Sequence, residues 1–193
     1  MRIIVTGGFG FIGSNFVNLV REKLPTAEVV ILDKMTYAAD PNNIKLPCKL
    51  IKKDICNVTP EDLGLYDYIV HFAAESHVDN SILDGRPFMN TNVIGTFNLV
   101  ECARQKKSLK KFIHISTDEV YGDMMDSEWL SSNEHHNLAP SSYYSSSKAS
   151  SDMIVLSANR TFGLTYLLTR TCNNYGENQN KEKFLPKIFD SIM

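Results

Sequence analysis

Tyr144 and Lys148 stand four residues apart in the stretch Ser142-Tyr-Tyr-Ser-Ser-Ser-Lys148, where Ser141 or Ser142 opens a helix. Residues at that spacing share one helix face, about one turn apart. A free tyrosine ionises at about pH 10. A nearby ammonium favours the phenolate, so this pair can make a tyrosine that takes a proton from a substrate hydroxyl near neutral pH. Tyr143 has no such partner, because Ser147 lies four positions after it. Thr117 ends the apolar run Lys111-Phe-Ile-His-Ile-Ser-Thr117 and is placed to share the hydrogen bond of the same hydroxyl. Asp118, Glu119 and Tyr121 follow it directly.

The amino-terminal stretch reads as a nucleotide site. Arg2 to Thr6 is a short β-branched run with the composition of a buried parallel strand. Gly7, Gly10 and Gly13 follow at a spacing of three, with Phe11 and Ile12 between the last two, and Phe16, Val17, Leu19 and Val20 continue at helical intervals. In a strand, tight turn and helix of this kind, glycine lets the main chain approach a ligand closely. Free N–H groups and the positive end of the helix dipole then favour a diphosphate. Glu28 to Asp33 is a second apolar strand, and Asp33 stands 20 positions after Gly13 (33 − 13). A dinucleotide-binding βαβ unit places there the acid that holds the adenosine ribose hydroxyls. That acid repels a 2′-phosphate, so the expected cofactor is NAD rather than NADP, a preference tempered by the basic neighbour Lys34. A nicotinamide cation in the site would add to the pull on the Tyr144 phenolate.

These groups need a frame. After a loop marked by Pro41, Asn42, Asn43 and Pro47, Lys49 to Lys52 is a third strand running to Asp54 and Ile55. Asp54 is placed either to meet an adenine amino group or to cap the turn that follows. Thr59, ahead of Pro60, Glu61 and Asp62, signals a short helix. Tyr68 to Phe72 is a fourth strand, and the small Ala73 and Ala74 beyond it let the backbone lie against the cofactor. A helix expected over 87–106 turns Phe88, Val93, Phe97, Val100 and Ala103 inward. Residues 111–117 make a fifth strand, 123–142 an exposed polar loop with His135 and His136 on its surface, and 163–169 a sixth strand. Strands alternating with helices predict an α/β fold, a doubly wound parallel sheet of Rossmann type, with ligands at the carboxyl ends of the strands. Thr6, Asp33, Ala73, Thr117 and Thr169 all fall at such ends.

Composition sets the outer bounds. At 193 residues and 43% hydrophobic content the chain can bury one core. Its 20 basic and 22 acidic residues are mixed along the chain, so no basic stripe points to nucleic acid. No apolar run approaches the length of a membrane span. Met1 runs straight into the first strand, which leaves no room for a signal peptide. Cys48, Cys56, Cys102 and Cys172 lie far apart and are expected as reduced, mostly buried thiols with no metal site, consistent with a cytoplasmic location.

With Thr6-Gly-Gly-Phe-Gly-Phe-Ile-Gly-Ser14 and Tyr144-Ser-Ser-Ser-Lys148, the chain resembles the extended short-chain dehydrogenase/reductase family of nucleotide-sugar enzymes. Within that family, Ala73-Ala-Glu-Ser-His-Val-Asp79, Ser116-Thr-Asp-Glu-Val-Tyr-Gly122 and Asn173-Asn-Tyr-Gly176 are similar to the motifs of dTDP-glucose 4,6-dehydratases. Epimerases of the family usually carry small residues where Asp118 and Glu119 stand. The resemblance implies that Tyr144 removes the proton of the sugar 4-hydroxyl as hydride leaves for NAD⁺, with Thr117 sharing the bond and Lys148 completing the set. Glu119 then takes the proton on carbon 5, which the new ketone has acidified. Asp118, held protonated, donates to the departing 6-hydroxyl, and hydride returns to carbon 6. One carboxylate must be ionised and its neighbour neutral. On the residues alone, the two carboxylates could equally cap the turn after the strand.

The resemblance also implies cofactor contacts from Gly7, Gly10, Phe11, Ile12, Gly13, Asp33, Lys34, Asp54, Ile55, Phe72, Ala73 and Ala74, joined by Tyr144 and Lys148. It implies substrate contacts from Ser76, His77, Asn173 and Asn174, although His77 and Asp79 also read as solvated loop residues. dTDP-glucose is the first substrate expected. A UDP-sugar dehydratase or 4-epimerase is the alternative within the family, and a non-catalytic NAD-binding module is the alternative outside it. The chain departs from the family pattern at Asn57, Asn80, Tyr143 and Glu177. Family members are longer, so residues 1–176 are expected as the NAD-binding domain and 177–193 as the start of a substrate lobe that is largely absent. A homodimer is expected through helices near 87–106 and 143–162.

Overall fold

The computed structural model describes residues 1–123, 131–180 and 183–192. Its centre is a six-stranded parallel sheet in the order β3-β2-β1-β4-β5-β6. The strands are β1 (Arg2–Thr6), β2 (Glu28–Asp33), β3 (Lys49–Lys52), β4 (Tyr68–His71), β5 (Lys111–Thr117) and β6 (Tyr166–Thr171). The expected doubly wound architecture is the one observed. Because side chains alternate across a strand, Ile3 and Val5 of β1 enter one core with Val17, Val20, Val29, Ile31 and Val70. Ile4 enters the opposite core with Val30, Leu32, Ile69, Leu99, Phe112 and Val155. Helix α1 (Phe11–Lys23) covers the first face. Helices α5 (Thr96–Arg104) and α6 (Tyr143–Phe162) cover the second. The chain reverses direction across the sheet between β1 and β4, and in this architecture that reversal opens a crevice at the carboxyl ends of the strands.

Short helices α2 (Pro60–Leu63), α3 (Val78–Leu83) and α4 (Arg86–Phe88) bridge the strands, and α7 (Phe184–Ile192) closes the described chain. Thr59 caps α2 in a reciprocal pair with Asp62, as its sequence signals. Ser142 caps α6 in the same way with Ser145. At the far end of α6, Gly163 takes the left-handed conformation (φ 72°) and donates its N–H to Asn159 at 2.8 Å. β6 runs Tyr166–Thr171, paired with Thr117, rather than 163–169 as expected; Thr165 still accepts from the Phe112 N–H at 2.9 Å.

The helix expected over 87–106 is interrupted. Met89–Gly95 is a π-helical segment joining α4 to α5. Each π turn takes in an extra residue, which rotates the side chains that follow it. Phe88, Thr91, Asn92, Thr96, Leu99, Val100 and Ala103 face inward at helical spacing, while Phe97, expected inside, stands nine residues after Phe88, half a turn round the helix, and is 51% exposed. The cysteines also differ from expectation: Cys102 alone is buried, Cys48 and Cys56 are half-buried and Cys172 is exposed. Of the expected polar loop over 123–142, residues 124–130 lie outside the described residues, and His135 and His136 are exposed. Among the described residues, no helix is long and apolar enough to cross a membrane.

Candidate active site

The glycine turn after β1 is built by close backbone approach. Gly7 has φ +66°, and a Cβ there would lie 2.7 Å from the Ala73 nitrogen. A Cβ on Gly13 would collide with the Gly7 carbonyl oxygen. Gly10 begins α1 with no side-chain cap, so the first-turn amides, which have no partner within the helix, remain for a ligand. Asp33 is buried at the end of β2, where its carboxylate accepts the N–H groups of Phe9 at 3.1 Å and Met35 at 2.9 Å. These bonds fix the acid beside the turn.

Between the strand ends and the chain over 171–180 runs a groove of about 780 Å³, within the usual range for ligand sites. Gly7, Gly10, Phe11, Ile12, Gly13, Asp33, Lys34, Ile55, Phe72, Ala73 and Ala74 line one part of it. Thr117, Glu119, Tyr144 and Lys148 line another, and Ser76, His77, Asn173 and Asn174 also reach it. Tyr143 does not; its ring packs against Gly85 and is 57% exposed.

Two expected residues lie elsewhere. Asp54 is absent from the groove wall. Its carboxylate caps the 3-10 turn Ile55–Asn57 by accepting from Cys56 N–H at 2.9 Å, and lies 3.7 Å from the Lys34 ammonium. Of its two readings, the turn cap is the one observed. Asp118 is likewise off the wall, with its carboxylate accepting from the Thr117 hydroxyl at 3.3 Å. A helical turn starting at Asp118 points consecutive side chains in different directions, so the adjacent acids do not converge on one spot in this state.

The electrostatics also depart from the sequence expectation. Burial, and next the charge of Glu119, push the Tyr144 hydroxyl up to about 12, while a hydrogen bond with Thr117 pulls the other way. Lys148 does not turn to Tyr144; its ammonium donates to the Ile115 carbonyl at 2.7 Å. Burial lowers Lys148 to about 8, with Asp152 opposing the fall. The Glu119 carboxyl is raised by burial and by Asp118, against the pull of Lys183. Glu119 is thus the stronger base that a proton-abstracting carboxylate requires.

The structure adds groups that sequence reasoning missed. Glu75 and Lys34 pair at 3.6 Å, and the Tyr37 hydroxyl donates to Glu75 at 3.3 Å across the adenosine end of the groove. Asn92 reaches back from the π segment to both the N–H and the carbonyl of Glu75, at 2.8 and 2.9 Å, and to Ser147 at 2.8 Å. Asn92 stands four residues after the buried Phe88, so its inward face is the one helical spacing gives it. Lys183, on the groove wall, belongs to the segment read only as the edge of a missing lobe. Glu177 turns outward, with its carbonyl accepting from Asn15 at 2.8 Å and its carboxylate 3.6 Å from Lys45.

A family model described as GDP-mannose 4,6 dehydratase matches residues 4–193. A dTDP-glucose 4,6-dehydratase of Mycolicibacterium smegmatis is 38% identical over the whole chain, which covers 59% of that protein. The crystal structure of DesIV, a dTDP-glucose 4,6-dehydratase from Streptomyces venezuelae with NAD bound, superposes with a TM-score of 0.89 at 41% identity, covering all of this chain and 62% of that one. A UDP-N-acetylglucosamine 4-epimerase from Methanobrevibacter ruminantium also superposes at 0.89, with 27% identity, over 99% of this chain and 62% of its own. The chain therefore spans about 60% of the length of the relatives it matches.

Proposed function

The chain belongs to the GDP-mannose 4,6-dehydratase family, and on that premise we propose that it is the cofactor-binding part of an NAD-dependent nucleotide-sugar 4,6-dehydratase, with dTDP-glucose as substrate. The observation that carries the reading is the single groove in which Thr117, Glu119, Tyr144 and Lys148 face the glycine turn and Asp33. The fit to NAD rests on the uncapped start of α1, the glycine cradle that a Cβ would fill, and an acid rather than a base at the end of β2. Bound NAD would supply the acceptor and later the donor of hydride. In this reading residues 1–176 form the NAD-binding domain and 177–193 begin the substrate lobe.

Each residue then has a task at a stated atom. As a phenolate, Tyr144 takes the proton of the sugar 4-hydroxyl, with Thr117 holding the same oxygen in line. Lys148 supplies positive charge beneath the groove, which offsets the burial and the Glu119 charge that oppose a phenolate. Glu119 takes the proton on carbon 5, and its raised carboxyl suits that step. Asp118 donates to the leaving 6-hydroxyl; from its present bond to Thr117 it must turn into the groove when substrate binds. Ser76, His77, Asn173 and Asn174 contact the nucleotide-sugar, and water loss from carbon 6 places the enzyme in deoxysugar biosynthesis. A homodimer is part of the proposal, because Ile94, Phe97, Met153 and Phe162 leave an apolar face exposed on the helical side.

The test is incubation of the purified chain with dTDP-glucose, following ultraviolet absorbance in alkali for the 4-keto product and assaying bound NAD in the same sample. A signal abolished by Tyr144→Phe supports the reading, whereas an epimer formed without water loss would move the chain to the UDP-sugar epimerases. NAD bound without turnover would favour a second reading, a binding module that needs the remaining 40% or so of a relative's length. That reading draws on the incomplete coverage of each relative. No NAD at all would remove the cofactor assignment.

A further inference from the structure

Below the groove, the buried face of α6 carries Lys148 and, one helical turn on, Asp152. Lys148 is 5% exposed and Asp152 0%. On the far side of Asp152, Arg170 of β6 donates from Nε to its Oδ2 at 2.9 Å. His114 Nε2 of β5 lies 3.3 Å from Oδ1 and shares a hydrogen bond with the Ser151 hydroxyl at 3.1 Å. Arg170 continues from Nη1 to the Tyr121 hydroxyl at 2.9 Å, in the turn that carries Asp118 and Glu119. None of these residues enters the groove reaction described above except Lys148.

We propose that Asp152 is a positioning residue for Lys148: its carboxylate, held by Arg170 one helical turn below Lys148 on the same buried face, keeps the buried ammonium charged under the groove. The charge balance is the argument. A buried ammonium needs a compensating charge, and the Ile115 carbonyl that Lys148 bonds is neutral. The groups facing Lys148 are His71 of β4, His114 of β5, and Tyr144 and Asp152 of its own helix. Both histidines are driven toward the neutral form by burial and by Lys148 itself. Asp152 alone among these supports the charge. An arginine and a carboxylate would already balance as a structural pair; adding Lys148 leaves the buried cluster one positive charge in excess. That excess sits where the proposed mechanism needs a cation. The inference rests on that mechanism only for the use made of Lys148, and the coupling itself is measurable without cofactor.

The experiment is NMR titration of the chain carrying lysine labelled with nitrogen-15 at Nζ, the Lys148 signal being assigned by its loss in Lys148→Met. Asp152→Asn is expected to lower the Lys148 midpoint by about one pH unit, a tenfold change in the ammonium-to-amine ratio. Arg170→Gln, which leaves Asp152 less compensated, is expected to raise it. Loosening of the structure cannot mimic this pattern, because entry of water would raise the midpoint in both variants. An unchanged or raised midpoint in Asp152→Asn overturns the proposal; should that variant not fold, an unchanged or lowered midpoint in Arg170→Gln does so. NAD titrations run alongside separate the two readings. Asp152→Asn should bind NAD about fivefold more weakly at pH 8 and recover toward pH 6, as Lys148 regains its proton. Failure of the wild-type chain to bind NAD at any pH removes the proposed function and leaves the Lys148 result standing.

Discussion

Glu119 and Tyr144 face the same groove, where burial first and the Glu119 charge next push the Tyr144 hydroxyl up to about 12. A difference titration of tyrosinate absorbance, wild type minus Tyr144→Phe, isolates this group. Glu119→Gln should lower its midpoint by about one unit, and saturating NAD should lower it as well, because the nicotinamide carries a positive charge. No movement with either would mean that Tyr144 is insulated from both. Tyr144→Phe should cut turnover by about 10²–10⁴-fold with NAD binding retained.

Glu119 should register in stability as well as in chemistry. Its carboxyl is raised in the folded chain, so between its ordinary value and the raised one the folded state binds more protons than the unfolded. Its contribution to stability is complete below the ordinary carboxylate range and is lost as pH rises through the raised value. Glu119→Gln should therefore be more stable than wild type at neutral pH, with the difference vanishing in acid. Urea unfolding at several pH values reads this directly. In the proposed reaction the same variant should block loss of water yet still produce a transient of reduced cofactor on adding dTDP-glucose.

His71 and His114 lie in the core with ring centroids 5.4 Å apart. His71 bridges Thr6 at 2.7 Å and Thr96 at 2.9 Å. Burial drives both below their ordinary value of 6.5, His114 to about 4. Over that window the unfolded chain holds protons that the folded chain refuses, so stability falls as pH drops from 6.5 toward 4. The expected slope approaches about 3 kcal/mol per pH unit when both sites contribute. His114→Gln should remove about half of it, measured by urea midpoints across the range.

The apolar face on the helical side offers a direct test of self-association. Phe97 and Ile94 project from the π segment and α5, and Phe162 lies under the Arg104 guanidinium at 4.3 Å. Phe97→Glu should convert a dimer to a monomer in light scattering while leaving NAD binding within about twofold of wild type, because the groove lies at the strand ends. A monomeric wild type would remove the dimer from the proposal.

The frame was readable because its signals are local. All six apolar runs read as strands are parallel strands of one sheet, the sixth starting three residues later than expected. The caps at Thr59 and Ser142 were equally plain, since side chain and partner sit within three residues. Spacing also set Tyr144 apart from Tyr143. What sequence did not convey depends on rotation and on distance in the chain. Phe88 and Phe97 stand nine residues apart and so cannot share one helix face; Asn92, four after Phe88, takes the inward place. Asp118 and Asp54 each found a nearby backbone or hydroxyl donor instead of the groove. Asp152 and Arg170 meet only because β6 lies beside β5, 18 residues after the helix position it serves. The sequence motif named Lys148 without showing that its charge has a partner below.

The π segment has one more consequence, for how this helix tolerates insertion and deletion. The extra residue works like a clutch between two halves that turn independently. Upstream, Thr91 and Asn92 engage Lys34, Glu75 and Ser147; downstream, Thr96 engages His71 and Leu99 fills the core. Loss of a single residue between 89 and 95 would rotate one half against the other by about 100°. One half would then have to surrender its contacts, so a length change of one residue here should be more damaging than most substitutions in the same stretch.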